Sequence, residues 1–312
     1  MNLLHLKYAI EISRAGSITK AADNLFMGQP NLSKAIRELE ESLGITIFRR
    51  TSKGVIPTEK GEQLIKYARN IIAQVEEMQG IADQKLTNRQ SFAICIPRSS
   101  YIAEAFLEFV RRLDRRKEIQ VSVRETDAVT AIDSVAQGDC NISVIRYQNN
   151  YENYFLDYLQ DKQIVIDPVF GSEYMLILPE RSPLAVRDEI TPCDLLKYIE
   201  ISQGEDSIPY VNQCRKPDCA EEKGRVRQIK AYDRLIQYEL LSSHIDGYMW
   251  SAPVPERLLK RYGLVQKKCS ENGMYFKDAL VYSKNYSFNE LDHVFMEELF
   301  RMREEIRDNT KS

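Results

Sequence analysis

The sequence predicts a mixed α/β protein with a helical N-terminal region, and three patterns in its 312 residues indicate this. Apolar residues in the first part of the chain recur three and four positions apart, which is the period of amphipathic helices. Residues 58–86 contain no proline and continue the same period. Beyond residue 90, short apolar runs alternate with helix-length segments, which predicts sheets covered by helices. The length allows two or three domains with cores of their own.

Two short helices around a glycine-containing turn are predicted near the N-terminus. Gly16 can end a first helix and Ser17 can cap the second. Gly28 breaks the second helix, and Pro30 suits the first turn of a third, because the missing N–H costs nothing there. Three apolar residues share one face of the third helix: Leu32, Ile36 and Leu39. Four polar residues stay off that face: Asn31, Ser33, Lys34 and Arg37. Residues 18–37 therefore predict a helix-turn-helix, whose second helix enters the DNA major groove.

A short hairpin with a basic tip is predicted after the third helix. Residues 45–48 and 55–56 are its expected strands, and Arg49-Arg50-Thr51-Ser52-Lys53-Gly54 joins them. This pattern is typical of the wing of a winged helix-turn-helix; the alternative is a small helical core with a hairpin that binds nothing. The predicted DNA contacts are Gln29, Pro30, Asn31, Ser33, Lys34, Arg37, Arg49, Arg50, Thr51 and Lys53.

Three stretches of the N-terminal region carry a longer motif. Residues 17–25 match S-x-T-x-A-A-x-x-L, and residues 29–40 match Q-P-x-x-S-x-x-I-x-x-L-E. Residues 43–61 contain L-G-x-x-x-F-x-R and then T-x-x-G. On these residues, the first sixty or so positions closely resemble the LysR-type transcriptional regulators. Met27-Gly28 and Pro57 depart from the family pattern, but neither removes a donor that faces DNA.

The formal net charge of −3 does not exclude a DNA-binding protein. Only the surface that meets the phosphates must be basic. Six basic residues cluster around the third helix and the hairpin: Arg14, Lys34, Arg37, Arg49, Arg50 and Lys53. One such module is expected to bind weakly, whereas two copies on one duplex add their phosphate contacts.

The proline-free segment predicts a means of pairing two copies. Its apolar stripe has spacings of four, three, four, three and four, the period of a coiled-coil seam: Leu64, Ala68, Ile71, Val75, Met78 and Ala82. The alternative is a helix that lies on the core of its own domain. The position matches the linker helix of the LysR type, and that resemblance implies dimers and dimers of dimers. The expected domains are a DNA-binding domain at 1–58, a linker helix at 59–88 and a regulatory domain at 89–312.

The C-terminal region predicts two α/β lobes. Strands are expected at residues 92–97, 119–125 and 142–146, with helices between them, and the alternation then repeats. A late strand at 278–283 and a last helix at 288–307 are expected to return to the first lobe. This layout, with lobe I at about 91–163 and 268–312 and lobe II at about 164–267, is that of bilobed ligand-binding proteins. It also resembles, more loosely, the LysR-type regulatory region and the type 2 periplasmic-binding proteins, through Gly138-Asp139-Cys140 and Ser182-Pro183-Leu184-Ala185.

The loop Pro97-Arg98-Ser99-Ser100-Tyr101 is the predicted effector site. It follows a strand and begins a helix, where hydroxyls and free N–H groups can hold an oxyanion. The alternative is that Ser99 or Ser100 only caps the helix. The family layout favours the effector, so the predicted ligand contacts are Ser99, Ser100, Tyr101, Thr126, Ser202 and Gln203. Tyr248 and Trp250 are candidates for the cleft wall, although such pairs are more often core.

Other chemistries lack their motifs, so no catalytic residue, cofactor or metal is expected. The three histidines are isolated, and neither Gly-x-Ser-x-Gly nor Cys-x-x-Cys occurs. The six cysteines predict no disulfide framework. An alternative function, redox sensing, rests on Cys214 and Cys219 beside Arg215 and Lys216. A cytoplasmic protein is expected, with double-stranded DNA, an unidentified small co-inducer and its own copies as partners; the resemblance adds RNA polymerase, and no membrane is expected.

Overall fold

The computed structural model describes residues 2–51, 54–82, 89–203, 227–243, 245–270 and 272–309. The chain divides into two units, one made by Met1–Gln90 with Arg116–Glu118 and the other by the remaining residues. Within these ranges no helix is both long enough and apolar enough to cross a bilayer.

The N-terminal unit is a helical domain with a two-stranded hairpin. Its elements are α1 (Leu3–Ala15), α2 (Ile18–Asn24), α3 (Gln29–Leu43), β1 (Phe48–Thr51), β2 (Gly54–Pro57) and α4 (Glu59–Ala82). The predicted boundaries are confirmed at Gly16, which ends α1 with φ 63°, and at Ser17, whose hydroxyl accepts from the Lys20 N–H at 3.4 Å. The first hairpin strand begins at residue 48 and not at 45 as predicted, because Ile47 is fully buried in the helical core; the second begins at 54, one residue before the prediction.

The linker helix α4 packs partly on its own domain. Thr58 begins it, accepting from the Gly61 N–H at 3.0 Å. Ile65, Ala68 and Ile72 are buried in the N-terminal core, so Ala68 of the predicted seam is not free to meet a second chain. Leu64, Ile71 and Val75 are half-buried, while the side chains of Met78 and Ala82 lie outside the described set. The stripe thus packs in part on its own domain, as the alternative held, and pairing of two chains stays a prediction.

Lobe I of the C-terminal unit is a five-stranded sheet with helices on both faces. Its elements are β3 (Arg89–Ile96), α5 (Ser100–Arg111), β4 (Glu118–Glu125), α6 (Ala128–Gln137), β5 (Ile142–Gln148), α7 (Glu152–Asp161), β6 (Ile164–Glu173), β12 (Tyr275–Ser283) and α10 (Glu290–Asn309). The strand order is β4-β3-β5-β12-β6, so the late strand does return to this lobe. Two details differ from the prediction. The sheet is mixed, with β12 antiparallel to both neighbours, and residues 164–173 belong here instead of in lobe II.

Lobe II is a second mixed sheet, ordered β11-β7-β10-β8-β9. Its elements are β7 (Met175–Pro179), β8 (Ile199–Gln203), β9 (Gln228–Ala231), α8 (Arg234–Ser242), β10 (Gly247–Ser251), α9 (Glu256–Tyr262) and β11 (Leu264–Lys267). Tyr248 and Trp250 pack edge to face at 6.1 Å in a core cluster of this lobe. They are therefore core residues, as the simpler interpretation held.

The cysteines correct one expectation. Cys193 is disulfide-bonded, although the sequence predicted no framework. Spacing along the chain could not show this, because pairing depends on distance in the fold. Cys95, Cys140 and Cys269 are buried free thiols. Cys214 and Cys219 lie outside the described residues.

Candidate DNA interface and effector pocket

Helix α3 separates a buried face from an exposed polar one. Four residues form the buried face: Leu32, Ala35, Ile36 and Leu39. Four of the predicted contacts are exposed on the opposite side: Pro30, Asn31, Lys34 and Arg37. Lys34 is 77% exposed and lies 3.8 Å from Glu38, a surface pair that leaves the ammonium open to a phosphate or base. Gln29 and Ser33 are half-buried and joined by a 2.8 Å hydrogen bond between their side chains.

The turn before α3 contains a strained residue. Phe26 has φ 52°, in the left-handed region that bulky side chains avoid, and its ring is 98% exposed. Gly28 follows as the N-cap of α3 and offers no side-chain cap. The first N–H groups of the helix are thus not capped by a side chain, at the end predicted to approach the groove.

The wing is held to the helices by hydrogen bonds from its own backbone N–H groups. A single oxygen of Glu40, Oε1, accepts from the N–H of Ile47 at 2.6 Å and of Phe48 at 3.2 Å. The Val55 N–H donates to the Gly16 carbonyl at 2.9 Å. These bonds fix the start of each strand of the wing against the end of a helix.

Two glycines permit this close approach. A Cβ on Gly61 would lie 2.0 Å from the Ile47 carbonyl oxygen, and one on Gly54 would lie 2.5 Å from the Gly16 oxygen. Gly54 also has φ 124°, which other residues rarely adopt. Gly61 and Glu40 were part of the matched motif, but sequence alone did not reveal that they position the wing.

The basic side chains of the wing are exposed. In the ribbon, Arg49 pairs with Ile56, Arg50 with Val55 and Thr51 with Gly54. Neighbouring residues of a strand point to opposite faces, so Arg49 and Arg50 place charge on both faces of the ribbon. Lys53, also predicted, lies outside the described residues. Helix α3 and the wing thus present polar and cationic groups on the surface of one small domain.

The predicted effector loop is built as a buried polar site in the C-terminal unit. Ser99 occupies the N-cap position of α5 but makes no capping bond; its Oγ accepts from Arg146 Nη2 at 3.0 Å. The Ser100 Oγ lies 2.6 Å from the Tyr238 hydroxyl and accepts from Arg234 Nη1 at 3.1 Å. Both serines are almost fully buried. The simple capping alternative is wrong for these side chains.

The floor of the pocket is an ion pair. Arg146 donates from Nε and Nη2 to the two carboxylate oxygens of Asp278, each at 2.7 Å, and its guanidinium lies 4.3 Å from the Phe276 ring centroid. Burial alone would lower the pKa of Arg146, but the charge and hydrogen bonds of Asp278 raise it above its ordinary value. Burial, followed by the charge of Asp278, raises the pKa of Tyr101. The Tyr101 hydroxyl donates to Asp278 at 2.6 Å, so this residue supports the floor and is not placed to face a ligand as predicted.

Lobe II contributes a second arginine to the pocket. From the start of α8, Arg234 reaches Ser100 and the carbonyl of Arg98 in lobe I. Its Nε is sealed from solvent and has no hydrogen-bond acceptor among the described residues. The Ser202 hydroxyl, at the carboxyl end of β8, is in the same condition within the described part of the chain. Buried donors without acceptors call for a partner such as a bound ion, water or ligand.

The remaining predicted contacts lie at the expected ends of strands. The Thr126 N–H donates to the Ile96 carbonyl at 3.0 Å, which brings it beside the end of β3. Its hydroxyl donates to the Asp127 carbonyl at 2.8 Å, so it is already engaged. Gln203 pairs with β9 through its backbone, and its side chain is outside the described set.

Known proteins resemble this chain in sequence and in fold. The family model "Bacterial regulatory helix-turn-helix protein, lysR family" matches residues 3–62, the unit that carries α1–α3 and the wing. Residues 3–62 therefore resemble the DNA-binding domain of the LysR family. The regulator YcgK of Bacillus subtilis is 29% identical over 210 residues, which cover 66% of this chain and 59% of that protein. The nitrogen assimilation regulatory protein nac of Klebsiella aerogenes is 32% identical over 149 residues, or 46% and 48% of the two chains. The chain thus spans about half to three fifths of the length of these relatives.

Two solved structures show the same fold over nearly the whole chain. Full-length OxyR of Pseudomonas aeruginosa aligns with TM-score 0.63 and 15% identity, over 96% of this chain and 98% of that one. The full-length LysR-type regulator LysG of Corynebacterium glutamicum, with bound effector arginine, aligns with TM-score 0.64 and 16% identity, over 98% and 99%. The winged helix-turn-helix and the bilobed α/β region of this chain therefore have the same folds as the corresponding parts of these two structures.

Sequence reasoning missed most of the groups that line the pocket. It named Ser99 and Ser100 but not Arg146, Asp278 or Arg234. These side chains come from separate strands and helices, more than 45 residues from the loop, and no local motif marks them.

Proposed function

We propose that this chain is a sequence-specific DNA-binding transcriptional regulator of the LysR type. The observation that carries the proposal is the exposed polar face of α3, with Asn31, Lys34 and Arg37 opposite a fully apolar buried face. A helix of this kind in a helix-turn-helix contacts base edges with its N-terminal residues, while a basic wing contacts phosphates. Double-stranded DNA is the primary partner, and RNA polymerase is the partner through which it would act on transcription.

The test separates base contacts from phosphate contacts. We expect Lys34→Ala or Gln29→Ala to reduce the preference for a specific site by about 1–3 kcal/mol, because a base-edge contact is lost. Arg50→Ala is expected to weaken specific and random DNA alike. Lys260→Ala, which removes an exposed lysine from α9, is the matched control. Equal losses on specific and random DNA for Lys34→Ala and Gln29→Ala would contradict the assignment of α3.

The proposal includes a homodimer, and as a further stage a tetramer, formed through α4. The half-buried Leu64, Ile71 and Val75 support it, since they lie along one stripe of a long helix. A charge at Val75 would be buried in the seam, so Val75→Glu is expected to abolish the dimer in sedimentation velocity experiments on the full chain. Gln63→Glu adds the same charge at an exposed position of α4 and is expected to leave the dimer intact. A monomeric wild-type chain at all concentrations would contradict the proposal.

We infer further that a small anion binds at Ser99 and Ser100 and changes the activity. Arg146 and Arg234 converge on the two serine hydroxyls, and the α5 N-terminus adds N–H groups. Thr126 and Ser202 are the nearest candidates for contacts to the rest of the molecule. A ligand at about 100 times its dissociation constant would add about 2.7 kcal/mol of stability. The combined change Ser99→Ala and Ser100→Ala is expected to remove most of that gain while leaving DNA binding intact.

Redox sensing is the second candidate, and the disulfide at Cys193 favours it. Oxidation of thiols to disulfides can shift a bistable regulator as a ligand does. If this candidate is right, mild peroxide changes both the mass of the reduced protein and its DNA affinity, and Cys214→Ser with Cys219→Ser removes the effect. If the anion is the effector, the variant with Cys214→Ser and Cys219→Ser responds to the anion as the wild type does.

A further inference from the structure

Arg234 joins the two lobes through neutral acceptors. It begins α8 in lobe II. Its Nη1 donates to the Ser100 hydroxyl at 3.1 Å, and its Nη2 donates to the Arg98 carbonyl. Both acceptors belong to lobe I. Neither carries a charge, so the hydrogen bonds hold the side chain without neutralising it.

The acids nearest to this arginine are committed to other groups. Asp233, the preceding residue, caps α8 by accepting from two backbone N–H groups. Asp278 is neutralised by Arg146. Glu104, one helical turn beyond Ser100 on α5, is paired with Arg257 at 2.7 Å. Among the described residues, no carboxylate lies within ion-pair distance of Arg234.

One nitrogen of the Arg234 guanidinium, Nε, has no acceptor in the described part of the chain. This nitrogen is buried, whereas Nη1 and Nη2 have acceptors. The Nε–Nη2 edge presents two parallel N–H groups, and this edge matches the two oxygens of a carboxylate. A bidentate carboxylate there would supply both the missing acceptor and the missing charge.

We propose that Arg234 binds the acidic group of the effector, and that the effector is a small organic acid whose carboxylate meets the Nε–Nη2 edge. The inference rests on the proposed effector site at Ser99 and Ser100 and names its ligand class. Because Nε is sealed from solvent, the carboxylate would enter by replacing the Arg98 carbonyl as the acceptor of Nη2. The same side chain would thus exchange a hydrogen bond to lobe I for one to the ligand. Arg146 is not a second ligand arginine, since Asp278 already takes its Nε–Nη2 edge and neutralises its charge.

The test measures binding of four simple probes to the full-length chain by calorimetry. Propionate and succinate are the carboxylates, inorganic phosphate is the alternative oxyanion, and propionamide is the uncharged analogue of propionate. We expect at least one carboxylate to bind saturably and propionamide not to bind. Arg234→Gln is expected to weaken carboxylate binding at least tenfold. Arg234→Lys keeps the charge without the planar guanidinium, so its affinity for the carboxylate is expected to lie between those of the wild type and Arg234→Gln. Arg261→Gln removes an exposed arginine from the same lobe and is expected to bind as the wild type does.

Each contrary result has one meaning. Carboxylate binding by Arg234→Gln at wild-type strength would overturn the role of Arg234 while leaving the pocket in place. Phosphate that binds where neither carboxylate does, or propionamide that binds as well as propionate, would overturn the ligand class. Binding lost in Arg234→Gln but kept when Ser99 and Ser100 are both alanine would retain the arginine and overturn the serine pocket. A wild-type chain that binds none of the three anions would overturn both the inference and the proposed effector site.

Discussion

The reading surface and the effector pocket are both polar sites, but they are built in opposite ways. On α3 and the wing, the functional side chains come from residues 29–51 and are largely exposed. In the pocket they come from Ser99, Ser100, Arg146, Arg234 and Asp278, and the hydrogen bonds among them span 47 to 134 residues of chain. The first site depends on which side chains point outward, whereas the second depends on tertiary contacts between distant elements.

This difference sets what a mutation reports. An exposed side chain such as Lys34 can be removed with little effect on folding, so a change in DNA affinity reports a contact. A buried partner such as Asp278 contributes to the fold itself, so its removal is expected to change the free energy of unfolding first. Substitutions at buried partners are therefore expected to have larger effects on stability than substitutions at exposed side chains.

The largest effect is expected in the pocket floor. Asp278→Asn leaves Arg146 buried without a counter-charge, which is expected to cost about 3–5 kcal/mol of unfolding free energy. Urea unfolding of the full chain measures it. Asp167→Asn is the control, because Asp167 accepts a hydrogen bond from Tyr282 at an exposed site. Similar losses of unfolding free energy in the two variants would show that the buried Arg146–Asp278 pair contributes no more to stability than an exposed hydrogen bond.

A smaller effect is expected where the wing meets α4. Gly61→Ala places a methyl group 2.0 Å from the Ile47 carbonyl oxygen, so the backbone must move. We expect about 1–3 kcal/mol of destabilisation, as for an overpacked core, together with weaker binding to all DNA because the wing is displaced. Glu62→Ala, at the next and exposed position, is expected to do neither. Unchanged DNA affinity in Gly61→Ala would contradict the positioning role of this contact.

The smallest expected effect is a gain. Phe26 has a left-handed backbone and an exposed ring, so its folded state carries strain without compensating burial. Phe26→Asn is expected to stabilise the N-terminal domain by up to about 1 kcal/mol, because asparagine adopts this conformation more readily. Phe26→Ala is the comparison, since it removes the ring without that preference. Equal melting temperatures for these two variants would contradict the strain argument.

Local patterns predicted the N-terminal domain well. Gly16, Ser17 and Gly28 mark helix ends by their own backbone preferences, so the three helices could be placed from sequence. The first strand of the wing was predicted three residues too early. Ile47 is apolar and fits a strand pattern, but it is buried by the helices instead of pairing in the hairpin.

Longer-range features escaped prediction. Strand β6 contains Pro168, which argues against a strand, but β6 is an edge strand and its register with β12 shifts between Asp278 and Ala279, beside that proline. The lobe boundary was therefore placed about ten residues early. In the pocket, the loop serines were found by their position after a strand, while their arginine partners could be identified only from the fold.

Selection of bound sequences from random double-stranded DNA by the full-length chain tests the central claim most directly. We expect enrichment of a motif with two-fold symmetry, since paired reading helices contact two half-sites. Lys34→Ala is expected to change or blur the half-site, whereas Arg50→Ala is expected to select the same motif with lower affinity. A wild-type chain that enriches no sequence over random DNA, or a Lys34→Ala chain that enriches the unchanged motif with full preference, would contradict the assignment of α3 as the reading helix.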